Sequence, residues 1–167
     1  MPRKIIKDRA IVDDSYTQVT DVSQMPASGD ILVALDLLLE NPSVLPAQGG
    51  AWDGKIGIKV TGDVEPEALV EYLDKVDLIA IEFPVFRDGR GYSLARILRD
   101  RLGFQGELRA CGDVLRDQMF YMQRCGFNSF EPRDDRSIEE ALNGLSDFTV
   151  TYQADAVEKR PIYLRRP

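Results

Sequence analysis

Four short apolar runs, each followed by a segment with helical periodicity, recur through the middle of the chain, and this alternation constrains the fold more than any other feature. The runs are residues 56–60, 78–83, 107–111 and 128–131, and the periodicity predicts helices over 65–75, 93–102, 114–125 and 137–145. Strands separated by helices cannot close as hairpins, so they pair in parallel through right-handed crossovers. Pro66 stands in the first turn of the first helix, and Gly103 and Gly126 stand where the second and third should stop.

The strands are not uniformly apolar. Side chains alternate along a strand, so Lys59, Glu82, Arg109 and either Glu131 or Ser129 fall on one face, while Ile58, Ile81, Leu108 and Phe130 face the helices. One polar face resembles the interior of a βα-barrel, where functional groups project from the C-terminal ends of strands. A salt-bridge ladder at a sheet edge or a dimer seam would read the same way. With 167 residues the chain is too short for eight full βα units. The expected fold class is α/β: a short parallel βα-repeat sheet, half-barrel or open TIM-barrel-like, with an N-terminal hairpin.

The whole chain, 1–167, reads as a single α/β domain, with a hairpin and connection over 1–30, a βα core over 31–152 and a loosely held tail over 153–167. The hairpin joins residues 5–7 to 10–12 through Asp8 and Arg9, and 15–30 is a polar connection. Residues 31–40 read as a buried helix stopped by Asn41 and Pro42, although the first of them also fit a strand. Residues 41–54 form a loop. Residues 148–152 alternate like a strand with one wet face.

Composition removes several chemistries. There is no histidine, so His-based acid–base catalysis and His-ligated metals are absent from this chain. Two cysteines, Cys111 and Cys125, cannot supply a four-thiolate cluster or the usual structural zinc, and they are too far apart for a CxxC pair. No metal or other cofactor is expected. The net charge of −7 argues against nucleic acid. No apolar run is long enough to span a membrane, and the Met-Pro-Arg-Lys start has no signal core, so the expected location is cytoplasmic. Homo-oligomers are compatible with the sequence.

Between Arg87 and Arg124 the balance reverses, with eight arginines and five acids. The loop Phe83-Pro-Val-Phe-Arg-Asp-Gly-Arg-Gly-Tyr-Ser93 runs from a strand into a helix, where backbone N–H groups, Arg87 and Arg90 could converge on an anion, with Ser93 as N-cap. The loop Cys111-Gly-Asp-Val-Leu-Arg-Asp117 brings Asp113, Arg116 and Asp117 to the same rim. The expected anion site is therefore Arg87, Arg90, Ser93, Arg109 and Arg116, with Lys59, Asp88, Asp117 and Glu131 around it. Glu82 and Asp113 are the candidate acid–base groups. Cys111 beside Arg109 is a conceivable thiolate, but a buried small hydrophobe is the reading favoured. Neither loop is a P-loop or a dinucleotide fingerprint.

The run from Glu82 to Arg99, with Gly106-Glu-Leu-Arg-Ala-Cys-Gly-Asp-Val-Leu-Arg-Asp-Gln118 and Arg124-Cys-Gly-Phe127, resembles a proteobacterial family of unknown function. That family is often labelled an oxidoreductase, and its genes commonly lie beside assimilatory sulfite reductase. The resemblance covers roughly residues 29–153. It implies an accessory role in sulfite reduction within sulfur assimilation, with sulfite reductase or its electron donor as partner. It assigns no catalytic residue, and no flavin, nicotinamide, haem or cluster motif supports the oxidoreductase label. Three functions are thus expected: an accessory protein binding a small anion or an anionic partner group at the arginine-rich edge; an enzyme acting on a phosphate-, sulfate- or sulfite-bearing small molecule; or a docking module without pocket chemistry.

Overall fold

The computed structural model describes residues 3–45 and 52–165; the part of the expected 41–54 loop at 46–51 and the last two residues of the tail lie outside them. Eight strands form one curled half-barrel sheet in the order β2-β1-β8-β7-β6-β5-β4-β3. They are β1 Lys4–Lys7, β2 Ala10–Asp13, β3 Thr17–Val19, β4 Ile31–Ala34, β5 Ile56–Thr61, β6 Leu78–Phe83, β7 Glu107–Gly112 and β8 Ser129–Phe130. Strands β3 to β8 pair in parallel, whereas β1 pairs antiparallel with β2 and with β8. The N-terminal hairpin thus extends the far edge of the sheet. Its turn places Asp8 and Arg9 at positive φ, the conformation that matches the twist of a two-residue hairpin.

The helices are α1 Leu35–Glu40, α2 Arg90–Arg96, α3 Arg116–Cys125 and α4 Ile138–Gly144. The main core lies between the helices and the sheet face bearing Ile58, Ile79, Ile81, Leu108 and Phe130. The opposite face carries a small separate apolar group, Leu32, Leu78, Ala80 and Cys111, covered by Tyr16. This is the face separation that strand alternation predicts.

Several local expectations are corrected. Residues 31–40 are not one helix: Ile31, Leu32 and Val33 are buried on both faces and form strand β4, and the chain turns helical only at Leu35. The connection over 15–30 contains strand β3, three residues long and too brief to show alternation. The expected helix over 65–75 is a 3₁₀ segment, Pro66–Tyr72, whose buried Leu69 and Tyr72 lie three apart, the spacing that eclipses in a 3₁₀ turn. Helix α2 begins at Arg90 rather than at residue 93 and continues as a π-turn over Ile97–Arg101. Helix α3 begins at Arg116 and ends at Gly126 in the left-handed conformation.

The expected strand at 148–152 does not form. The tail is also better held than its composition implies: Asp155 is buried and accepts from Arg124 and from the backbone N–H groups of Val157 and Glu158. No described helix is long and apolar enough to cross a membrane.

Candidate functional site at the C-terminal rim

Arg109 projects from the middle of β7 onto the inner face and is 1% exposed. Its Nε and Nη2 donate to Glu107 Oε1 at 3.1 and 2.9 Å, and its Nη1 donates to both oxygens of Asp14 at 3.0 Å. Lys7 Nζ completes the group, 2.6 Å from Glu107 Oε2. The Tyr16 ring lies over the guanidinium, 5.2 Å from Cζ to the centroid, as cations favour aromatic faces. Two cations and two carboxylates therefore form a neutral plug inside the half-barrel. Burial raises the Glu107 carboxyl pKa, but Lys7 and Arg109 outweigh it and hold the group below its ordinary range. Burial pushes the Tyr16 phenol up, with Glu107 acting in the same direction.

Arg109 is thus corrected as an anion-binding residue, because carboxylates of the chain already take its donors. Glu131 sits beside this plug, in contact with Arg3, and burial raises its carboxyl. The plug leaves an opening toward β3, β4, β5 and β6. There Lys59 Nζ and Glu82 Oε1 are 3.0 Å apart at a cleft of about 230 Å³, which Gln18, Asp36 and Thr61 also line.

The two long motifs meet outside this opening. Gly112, at φ +89°, lets β7 approach β6 so closely that a Cβ there would lie 2.4 Å from the Phe83 carbonyl oxygen. The next residue, Asp113, donates its backbone N–H to that oxygen at 2.7 Å, accepts from the Phe86 backbone N–H at 2.8 Å and pairs with Arg133 at 3.1 Å. Gln118 donates to the Phe86 carbonyl at 3.2 Å. Asp88 accepts from the Arg90 backbone N–H at 3.1 Å and forms a two-bond pair with its guanidinium at 3.0 and 2.8 Å. That pairing holds the Asp88 carboxyl down at about 2.

Asp88, Arg90, Asp113 and Gln118 are therefore spent on fixing one loop. The loop lifts Val85 and Phe86, 47% and 49% exposed, into solvent beside Arg87, which makes no ion pair among the described residues.

The predicted rim consequently divides. Arg90 is exposed and paired with Asp88 and Asp63, while Arg116 is paired with Asp147 at 2.9 Å in a separate hollow of about 300 Å³ that Asp117 also lines. Among the described residues Arg90, Arg109 and Arg116 share no partner. Ser93 lies inside α2 and is not its N-cap; Asp88 receives the Arg90 backbone N–H instead. Asp113 is a loop brace, which removes it as an unencumbered acid–base group. Sequence reasoning missed Lys7, Asp14 and Tyr16, and singled out Gln118 only as part of the second motif, with no role. Glu107 was within reach, because it lies two residues from Arg109 and so on the same face.

Cys111 donates weakly to the Ile81 carbonyl at 3.6 Å, and burial pushes its thiol up to about 12. Cys125 is also buried and its thiol raised, chiefly by burial. Both are expected to stay unmodified by a thiol reagent in native buffer and to react fully only in denaturant. Rapid native labelling of Cys111 would contradict the placement of its side chain.

Fold and rim together define an α/β half-barrel of βα repeats with an ion-paired interior plug and a braced loop at its C-terminal rim. Residues 57–163 match the family model described as "Bacterial protein of unknown function (DUF934)", and the chain belongs to that family. No curated protein matches it.

Proposed function

We propose that the chain is an accessory docking protein of sulfite reduction, engaging sulfite reductase through the loop tip at Val85, Phe86 and Arg87. One observation carries this reading. Asp88, Arg90, Asp113 and Gln118 hold the loop from within, so that a half-exposed aromatic ring and a cation with no ion pair among the described residues stand out on a braced support. A pre-fixed aromatic next to arginine is the kind of anchor that dominates protein interfaces, because little ordering entropy is lost on contact. The partner follows from the family resemblance, since sulfite reductase is encoded beside such proteins, and an assimilatory role places the protein in the cytoplasm. Sulfite reductase is expected to offer an apolar pocket rimmed by carboxylate.

The test is association of the purified full chain with sulfite reductase at low salt, followed by isothermal titration calorimetry. Phe86→Ala and Arg87→Glu are each expected to weaken binding by at least roughly tenfold with an unchanged circular dichroism spectrum. No association of the wild-type chain, or equal binding by both variants, overturns the reading. Association with the electron donor alone would also overturn it and move the partner one step upstream. In cells, a deletion strain should grow on sulfide or cysteine but not on sulfate or sulfite.

A second reading keeps a small ligand. The Lys59–Glu82 cleft lies at the C-terminal ends of parallel strands, the usual place for such a site in sheets of this kind. Titration with sulfite, sulfate and phosphate checks it, and Lys59→Met should abolish any heat observed.

A further inference from the structure

The segment Phe148-Thr149-Val150-Thr151-Tyr152 has the alternation and residue types of a strand, yet it pairs with no strand of its own chain. Among the described residues, none of its backbone N–H groups donates a hydrogen bond, and the carbonyls of Phe148, Thr149 and Val150 accept none. Only the far end is tied, the Tyr152 carbonyl accepting from the Ile162 N–H at 3.0 Å and the Thr151 carbonyl from Arg165. Phe148, Val150 and Tyr152 are 64%, 64% and 75% exposed. They border a hollow of about 470 Å³ with Tyr121 of α3, and Phe148 is itself propped on Phe120, ring centroids 5.1 Å apart.

We infer that this segment is an interface strand that pairs antiparallel with the same segment of a second copy, making the protein a two-fold dimer. The sequence is self-complementary about Val150. An antiparallel pair centred there sets Phe148 opposite Tyr152, Thr149 opposite Thr151, and Val150 opposite its own copy on the two-fold axis. Aromatic–aromatic, Thr–Thr and β-branched pairs are the favourable cross-strand combinations. Two-fold pairing closes the assembly, whereas addition of the segment to an edge such as β2 of another copy would continue into a chain of molecules.

The area is also sufficient. With each aromatic side chain able to bury about 150–250 Å², the exposed parts of Tyr121, Phe148, Val150 and Tyr152 amount to on the order of 500 Å². Two copies together then bury about 1,000 Å², the size a specific interface is expected to reach. The inference is independent of the Phe86 tip and of any sulfite-reductase contact.

Sedimentation equilibrium of the full chain is expected to give twice the 18.8 kDa of one copy. Val150→Lys sets two cations against each other on the axis and should return the chain to a monomer with unchanged circular dichroism. Val157→Lys, at an equally exposed valine outside the segment, should leave the dimer intact. Hydrogen exchange should show every second amide of the segment, either those of 149 and 151 or those of 148, 150 and 152, protected in the dimer and unprotected in Val150→Lys. A chain that remains monomeric up to millimolar concentration, a dimer that survives Val150→Lys, or a dimer whose segment amides exchange freely overturns the inference.

Discussion

Replacing Arg109 by leucine is expected to remove on the order of 3–5 kcal/mol of folding stability, the cost of breaking a buried ion pair by deleting one partner. Among the described residues the guanidinium is the only cation bonded to Asp14, and it supplies two of the bonds to Glu107, whose side chain is 4% exposed. Without it, Lys7 is the remaining cation at Glu107 among the described residues, and Asp14 is left with the Tyr16 backbone N–H, 3.3 Å from its Oδ1. Against a typical total of about 5–15 kcal/mol, this loss is a large share of the stability and should lower the denaturation midpoint clearly. Adding Glu107→Leu should restore part of the loss, because it removes the more deeply buried of the two carboxylates that Arg109→Leu strands, while Asp14 still lacks its guanidinium. Chemical denaturation of the two variants measures this; a midpoint for Arg109→Leu within error of wild type would show that the plug contributes no specific stability.

Gly112→Ala should cost on the order of 3 kcal/mol, combining a side chain at positive φ with overpacking against backbone. The added Cβ would meet the Phe83 oxygen at 2.4 Å, so β7 would have to withdraw where it pairs with β6. The same movement would carry Asp113 away from the Phe86 N–H and release the tip. Gly89→Ala is the control: φ is −91° there and nothing lies within 4 Å of its Cβ position, so its effect should stay within about 0.5 kcal/mol. Denaturation midpoints give the stabilities, and hydrogen exchange at Phe86 reports the brace. Equal midpoints for the two variants would mean that the close approach at Gly112 is not under constraint.

The central strands were legible because their signals are local. A buried strand must alternate at every second residue, so Ile58, Ile81 and Leu108 against Lys59, Glu82 and Arg109 announced both the strands and their faces. The start of Ile31 to Glu40 was ambiguous for the opposite reason: Ile31 to Leu35 is apolar throughout and has no period, and only the slot between β3 and β5 makes its first four residues a strand. The start of α2 was misplaced because Ser93 is a good cap by type, whereas Asp88 is selected by the geometry of the Gly89 turn. The segment over 148–152 was read from a true β pattern, but a pattern does not supply a neighbour.

The separation is sharpest at Arg109. Its strand, its face and its position among other charged residues follow from the sequence, since alternation and composition are properties of adjacent residues. Whether its charge was free to bind an anion was decided only by the tertiary structure. Asp14, 95 positions away, reaches it because β1 pairs with β8 and β2 runs back beside β1, setting Asp13 opposite Lys4 and Asp14 next to Arg3. A buried cation binds whichever carboxylate the fold delivers, and that delivery depends on register and chain path, which no local pattern encodes.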